Sequence, residues 1–250
     1  NKDVSSDIIR LLVNTWPQSA IMSSQGGFSP LHLICGAGIV NSTDEEDEIA
    51  LEIVRILIDA SHESVLQTTE DEEKLPIHDA ASHKSPEICT LLLNAYPESW
   101  KIGISPDGSL PIHHACGSGR IETVKMLLER YPESLHLRDG RGLLHIHRAS
   151  MWRDRIEIIE FLLKKDPTCL TKAIPGNNQR CGGRLPLHLA CNGKNKLNSV
   201  RFLFNLYPEA IMKADASGEL PLDIVRKSIE SGGRYGTKPL EGEERTEAVN

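Results

Sequence analysis

The sequence contains few aromatic residues, which make up 4% of its 250 residues, although 39% of the residues are hydrophobic. A core of this composition is therefore aliphatic. Runs of apolar residues stay well short of the roughly 18 that span a membrane, and the start does not resemble a secretion signal. Because the sequence begins with Asn rather than Met, we expect a segment of a longer protein. We predict no membrane association.

The six cysteines do not follow the disulfide framework of a secreted domain. We therefore predict an intracellular, cytoplasmic protein. Chemical motifs are scarce as well, since no Gly-rich phosphate loop follows a strand and no Ser/His/Asp or Cys/His set stands out. We predict no catalytic residue, no metal, no cofactor and no enzyme activity within these residues.

Charge is distributed unevenly along the chain, beneath a net charge of −7. Residues 41–73 hold twelve Asp and Glu but one Arg, whereas residues 138–201 hold thirteen Lys and Arg but five Asp and Glu. Runs of charge are usually solvated surface, which is the simplest explanation. The basic segment lacks interleaved aromatic residues, so we predict no nucleic-acid binding.

Two sequence landmarks recur together at intervals near 34 residues. The first is a proline within a Leu-Pro-Leu-His type of motif, and the second is an aromatic residue followed by proline. The first falls at Pro30, Pro76, Pro111, Pro186 and Pro221, with His145 in the same slot of one further copy; the second falls at Trp16, Tyr96, Tyr131 and Tyr207. A fixed period of this kind is typical of a repeat protein.

Each repeat predicts a short helix followed by a longer apolar helix. The proline suits the first position of the short helix, where its missing N–H costs nothing. The long helix must stop before the second proline, because the residue preceding proline avoids the α-helical region. One face of the long helices carries an aliphatic row at Leu57, Leu92, Leu127, Leu162 and Leu203. Stacking neighbouring units makes this core continuous.

The motif copies resemble those of the ankyrin repeat family, whose units open with Thr-Pro-Leu-His. The matching stretches are SPLHLIC (29–35), LPIHDAA (75–81), LPIHHAC (110–116), LPLHLAC (185–191) and LPLDIV (220–225). The resemblance implies an all-α solenoid of stacked antiparallel helix pairs with β-turn tips. A tetratricopeptide array has a similar period, but the short first helix and the Asp-Gly or Ser-Gly tips argue against it. Leu replaces the family's Thr in most copies, so its side-chain cap is missing there.

We treat residues 1–231 as one array of about five repeats with partial units at both ends. The unit boundaries are 1–26 (partial), 27–72, 73–106, 107–138, 139–181, 182–214 and 215–231 (partial), followed by a disordered tail at 232–250. The first partial unit has an apolar helix without its short partner, which indicates either a cut repeat or an N-terminal cap. Residues 41–48 form an acidic insertion, whose carboxylates we place on a mobile loop, and residues 172–183 form a long link.

Histidine and cysteine recur at zinc-ligand spacing in three copies, at His32/Cys35, His113/Cys116 and His188/Cys191. Other copies carry Ala81 or Ser150 in the cysteine slot, so the slot requires a small residue for helix packing. We therefore expect each histidine to satisfy backbone groups near the turn rather than bind zinc.

The family resemblance implies protein binding on the concave face formed by the tips and first helices. The candidate partner-binding residues are Asp79, His83, His114, Ser118, Arg148, Met151, Trp152, Arg153, Arg155 and Asn192. Trp152 either anchors a partner, as Trp and Arg often do, or folds over its neighbours. The arginines predict a partner with an acidic segment.

The favoured function is a protein–protein interaction module or scaffold. The alternative is the substrate-targeting arm of a larger enzyme, such as a kinase or ubiquitin ligase. Self-association between the acidic and basic segments is a third hypothesis, although we favour a monomer over an oligomer.

Overall fold

The computed structural model describes residues 2–36, 44–153, 155–178, 180–192 and 197–230. These residues form α-helices and 3-10 turns without a β-strand, so the all-α class predicted from the sequence is confirmed. The chain divides into two compact units, residues 1–140 and 141–250. The predicted disordered tail, at 232–250, lies outside the described residues.

Unit 1 contains seven of the described helices. They are α1 (Lys2–Thr15), α2 (Pro30–Gly36), α3 (Asp44–Ala60), α4 (Pro76–His83), α5 (Pro86–Ala95), α6 (Pro111–Ser118) and α7 (Ile121–Arg130). The short first helices α2, α4 and α6 stack on one another in chain order, and the long second helices α1, α3, α5 and α7 do the same. Each of α2, α4 and α6 also packs against the second helix that follows it.

Unit 2 contains five further helices, arranged by the same rule within the unit. They are α8 (His145–Ser150), α9 (Ile156–Lys165), α10 (Pro186–Ala190), α11 (Leu197–Leu206) and α12 (Pro221–Glu230). Helices α8 and α9 form one pair and α10 and α11 the next, while α10 packs against both α8 and α12. Helix α12 is a first helix, since Pro221 begins it and Leu220 precedes it.

The predicted aliphatic row on the second helices forms the core. Leu57, Leu92, Leu127, Leu162 and Leu203 are all buried. Removing an exposed leucine side chain from water contributes roughly 1.5–3 kcal/mol. One helix pair has too few such positions to fold by itself, which is why the stacked arrangement is needed.

An imidazole closes the start of most first helices in place of a side-chain cap. The backbone N–H of Leu75 donates to Nδ1 of His78 at 3.2 Å. The same contact joins Leu110 to His113 at 3.1 Å and Leu185 to His188 at 3.1 Å. In α12 the acceptor is Oδ2 of Asp223, which lies 3.0 Å from the N–H of Leu220. The missing Thr hydroxyl is thus replaced by an acceptor three residues later.

A 3-10 turn follows the second helices and was not predicted from the sequence. The turns cover Pro17–Ala20, His62–Leu66, Pro97–Lys101, Pro132–His136, Pro167–Leu170 and Pro208–Met212. In four of these turns an aromatic-Pro step ends the helix and starts the turn, because proline fits the first position of a helical turn. A small side chain inside each turn is buried, for example Ser99 and Ala210. The recurring Tyr-Pro-Glu-Ser motif is the sequence of this turn.

The turn tips link successive repeats through the backbone. In unit 1 the N–H of Glu70 donates to the carbonyl of Gly26 at 3.0 Å, and the N–H of Ser105 donates to the carbonyl of Glu72 at 2.7 Å. In unit 2 the N–H of Ala216 donates to the carbonyl of Gly182 at 2.9 Å. These bonds hold each tip in register with the next one inside its unit.

One element boundary differs from the sequence prediction. Helix α3 begins at Asp44, so residues 44–48 of the acidic insertion are helical, and placing all their carboxylates on a mobile loop is wrong. Acidic residues near a helix N-terminus are stabilised by the helix dipole, which accounts for the longer helix. Residues 37–43 lie outside the described part of the chain.

Candidate protein-binding surface

The repeated histidines serve the backbone. In His78 the Nδ1 atom accepts from Leu75, so the proton is on Nε2, which donates to the carbonyl of Ile102 at 2.9 Å. Nε2 of His32 lies 2.7 Å from the carbonyl of Lys74, and Nε2 of His147 lies 2.9 Å from the carbonyl of Lys172. Each ring therefore connects the start of its helix to the loop leading into the next repeat.

Burial keeps these rings neutral. It lowers the pKa of His78 from 6.5 to about 4, although the hydrogen bond to Ile102 opposes part of the change. It also lowers the pKa of His32 and of His188. In the protonated ring Nδ1 also carries a hydrogen, which would point at the backbone N–H that now donates to it. The neutral form is therefore the one that fits the fold.

Five of the six cysteines are buried small side chains, and Cys181 is half-buried. Cys35, Cys89, Cys116 and Cys191 are buried between helices. Burial raises the pKa of Cys89 and of Cys191 to about 12, so neither forms a thiolate near neutral pH. Within the described residues, no group of three or more His, Cys, Asp or Glu side chains is placed to hold a metal ion.

The candidate residues of unit 1 lie on the first helices α4 and α6, and they differ in accessibility. Asp79 is buried, and its Oδ1 lies 2.9 Å from Nζ of Lys74. His83 is half-buried, and burial lowers its pKa. The sequence pattern placed Asp79 on the first helix but did not reveal that Lys74, five residues earlier, would engage it.

His114 and Ser118 contact their own surroundings while remaining half-buried. Nδ1 of His114 lies 3.4 Å from Oγ of Ser82, and its ring meets that of His78 edge to face at 5.6 Å. Oγ of Ser118 donates to the backbone carbonyl of His114 at 3.0 Å. Histidine and serine therefore line one face where α4 and α6 stack.

All but one of the candidate residues of unit 2 lie on α8 or in the segment between α8 and α9. Trp152 is 42% exposed, and Arg153 next to it is also exposed. Arg148 and Arg155 are half-buried, and Asn192 is exposed beyond the end of α10. We call Arg148, Trp152, Arg153 and Arg155 the basic surface.

Met151 has a structural role next to the basic surface. Its side chain packs against a buried cluster of Leu143, Ile174 and Leu189. Met151 is itself half-buried, so it is less exposed than Trp152 and part of its side chain is engaged by this cluster. The sequence pattern could not distinguish the two, since both follow the same short helix.

Stacked aromatic rings on the 3-10 turns were not recognised from the sequence. The rings of Trp100 and Tyr131 stack with centroids 4.7 Å apart, and the guanidinium of Arg130 lies 5.6 Å from the centroid of the Tyr131 ring. The spacing of one repeat between Tyr96 and Tyr131 was the available signal. This contact joins the turn Pro97–Lys101 to Tyr131, the residue that follows α7, within unit 1.

Comparisons with known proteins agree with the repeat pattern. Models of ankyrin repeats match residues 46–139, as three copies, and residues 170–225, as many copies. The comparison with curated proteins gives no match. Among the described residues, the structure contains no helix with the length and apolar character needed to traverse a bilayer.

Proposed function

The chain belongs to the ankyrin repeat family, and from this we propose that it binds a protein partner through its first helices and the loops that follow them. Ankyrin repeats are generally protein–protein interaction modules and are typically not catalytic. A fold by itself does not determine function. The proposal therefore depends on which side chains each unit presents.

The basic surface of unit 2 is the observation that carries the proposal. Trp152, which is 42% exposed, is followed in the chain by Arg153, which is also exposed. Trp and Arg supply much of the binding energy in protein interfaces, because they combine apolar area with hydrogen-bond donors. Together with Arg148 and Arg155, this composition favours a partner with an acidic segment.

Unit 1 offers a less charged surface on α4 and α6. His83, His114 and Ser118 are half-buried there, whereas the Asp79 carboxylate is already engaged by Lys74. Partly exposed imidazoles and hydroxyls can exchange hydrogen bonds with a partner's backbone. We assign these three residues a supporting role in recognition and do not assign one to Asp79.

The test compares substitutions in the basic surface with a charge reversal on the second helix α9 of the same unit. Affinity capture with the wild-type protein identifies partners by mass spectrometry, and each is then titrated at low and high salt. We expect Arg153→Glu and Trp152→Ala to weaken binding by about tenfold or more, since interface anchors of this type contribute roughly 2 kcal/mol. The binding of the wild-type protein should weaken as salt screens the attraction.

Lys164→Glu is the matched control, because Lys164 is an exposed cation on the second helix α9 of the same unit. It should leave the affinity unchanged. Circular dichroism confirms that each variant keeps its helix content. If the partner binds Arg153→Glu and wild-type protein equally well, the assignment of the basic surface is wrong. If folded wild-type protein captures no partner, the proposed function itself fails.

A monomeric, cytoplasmic protein is part of this proposal. The six cysteines are free thiols, which supports a reducing compartment. Light scattering at low and high salt tests the monomer, because association of oppositely charged segments would give a mass that falls as salt rises.

A further inference from the structure

A compact loop closes on itself in unit 2, between the 3-10 turn Pro167–Leu170 and α10. The N–H of Ile174 donates to the carbonyl of Arg184 at 3.0 Å, and the N–H of Gly183 donates to the carbonyl of Ile174 at 2.8 Å. Ile174 is itself buried. We call the described residues of this segment, 174–178 and 180–184, the closed loop. Compact surface loops whose ends lie close together are frequently functional.

One side chain, that of Asn178, organises the closed loop. Its Oδ1 accepts from the backbone N–H groups of Arg180 and Cys181, each at 2.9 Å, and the N–H of Gly182 donates to the carbonyl of Asn178 at 3.0 Å. A Cβ atom on Gly182 would lie 2.7 Å from the carbonyl oxygens of Gly176 and Asn178, so backbone atoms fill this part of the loop. The backbone position of Arg180 is therefore set by contacts within the loop.

The closed loop is also attached to the tip that precedes α8. Nδ2 of Asn178 donates to the carbonyl of Arg141 at 2.6 Å. Pro175 fills the space beside Gly142, where a Cβ atom would lie 2.6 Å from Cδ of the proline ring. Arg141 and Arg180 thus belong to one structured part of unit 2, and both residues are exposed.

The charges around the closed loop favour an acidic ligand. Arg184 and Lys172 are engaged by carboxylates of the same unit, at 2.9 Å and 2.8 Å, whereas Arg141 and Arg180 are exposed. Residues 172–183 contain no Asp or Glu, and Arg binds carboxylates through paired N–H donors. The same residues contain no aromatic side chain, which argues against a stacking platform for single-stranded nucleic acid.

We propose that the closed loop is a second contact point for the acidic segment that the basic surface binds, with Arg141 and Arg180 holding its carboxylates. This inference rests on the proposed function of the basic surface. Arg141 precedes the six-residue helix α8, and the basic surface lies on and after that helix. Because α8 is about 9 Å long, the two contact points are at most roughly 35 Å apart. An extended acidic segment of about ten residues therefore reaches both.

The test measures the binding of fluorescent oligoglutamate peptides at low salt by anisotropy. A peptide of about twelve residues reaches both contact points, whereas one of about four residues reaches one at a time. Arg180→Glu should weaken binding of the longer peptide about fivefold or more, because two linked contacts reinforce each other, and should weaken binding of the shorter one less than about twofold. Lys164→Glu, the same change of charge at an exposed residue of α9, should leave both affinities unchanged.

Asn178→Ala tests the positioning of Arg180 without changing a charge. It removes the hydrogen bonds that hold the loop to Arg141 and fix its backbone. We therefore expect faster hydrogen exchange at the amides of Arg180 and Cys181, together with about threefold weaker binding of the longer peptide. Asn177→Ala, at the exposed neighbouring residue, should have neither effect. Circular dichroism confirms that each variant keeps its helix content.

Three results would overturn the inference. One is equal binding of the longer peptide by Arg180→Glu and wild-type protein while Arg153→Glu weakens it, in which case the proposed function stands without the closed loop. Another is an equal loss in Lys164→Glu, which would make net charge the cause. The third is an oligouridine of about twelve nucleotides that binds more tightly than the peptide and is also weakened by Arg180→Glu. If folded wild-type protein binds no oligoglutamate, the inference fails together with the acidic partner of the proposed function.

Discussion

Lowering the pH should reduce the free energy of unfolding through the buried side chain of His78. The folded chain holds this imidazole neutral, with its pKa lowered to about 4 by burial. In the unfolded chain the ring takes a proton as the pH falls below its usual 6.5. The contribution of His78 to stability is therefore complete above pH 6.5 and is lost as the pH falls from 6.5 towards 4.

Linkage gives the size of this effect. With a pKa of 6.5 in the unfolded chain and about 4 in the folded chain, the free energy of unfolding falls by about 2 kcal/mol between pH 7.5 and pH 5. Other buried histidines, such as His32 and His188, add losses of the same sign. The share of His78 must therefore be isolated by substitution.

His78→Asn is the substitution that isolates it. The Asn side chain can accept the N–H of Leu75, as Asp223 does for Leu220 in α12, but it does not titrate. It loses the hydrogen bond to the Ile102 carbonyl, so we expect a variant roughly 1–3 kcal/mol less stable at pH 7.5. Between pH 7.5 and pH 5, however, the variant should lose about 2 kcal/mol less than the wild type.

Urea unfolding at a series of pH values, followed by far-UV circular dichroism, measures both quantities. His62→Asn is the control, because His62 is an exposed residue on a 3-10 turn. The free energy of unfolding of this variant should change with pH as that of the wild type does. Equal losses in His78→Asn and in the wild type between pH 7.5 and pH 5 would refute the reasoning, since the buried neutral ring would then contribute nothing.

Two further pairs of substitutions, each a test and its control, probe a tip and the core. Gly183→Ala should destabilise the chain by roughly 2 kcal/mol or more, because φ is +77° there and a Cβ atom would lie 2.4 Å from the backbone N of Ala216; Gly176→Ala, whose Cβ would meet nothing within 4 Å, should change stability by less than about 0.5 kcal/mol. Leu92→Ala should cost about 2–5 kcal/mol, against less than about 1 kcal/mol for Leu66→Ala at a 44% exposed site. Thermal and urea unfolding measure both pairs, and equal costs within either pair would contradict the assignment.

The sequence predicted the parts of the fold that are set by residues close together in the chain and repeated at a fixed spacing. The proline at the start of a first helix, the proline that ends a second helix, and the aliphatic row through Leu92 and Leu127 each follow from one rule applied at one spacing. Their outcome does not depend on which residues approach from elsewhere in the chain. This is why the repeated motif, with the family resemblance that it carries, was enough to predict an all-α stack.

The candidate surface was less predictable, because accessibility depends on contacts between segments. The pattern treated Asp79 and His114 as equivalent positions on successive first helices. Lys74 approaches only one of them, and its contact with Asp79 removes that carboxylate from the surface. Met151 and Trp152 are likewise adjacent in sequence, yet the cluster around Leu143 takes up the methionine side chain.

A tip in unit 1 shows how far the repeat rule tolerates exceptions. Glu73 occupies the slot that is glycine in the other copies, and its φ of +51° lies in the left-handed region. The corresponding Gly108 and Gly142 have φ of +60° and +79°. The backbone conformation is thus set by the neighbouring tips, and the side chain at this position adapts to it at some cost in energy.

The long link in unit 2 shows where such an array can change during evolution. Residues 172–183 are longer than the corresponding segment of a regular copy, yet Gly182 still accepts from Ala216 and Gly183 keeps its left-handed conformation. Backbone hydrogen bonds join the two ends of the link, from the N–H of Ile174 to the carbonyl of Arg184 at 3.0 Å and from the N–H of Gly183 to the carbonyl of Ile174 at 2.8 Å. The exposed residues of this loop, such as Gly176 and Asn177, can therefore be exchanged while the buried Ile174 and the helix pair that follows keep their places, so a new specificity could arise there without redesign of the core.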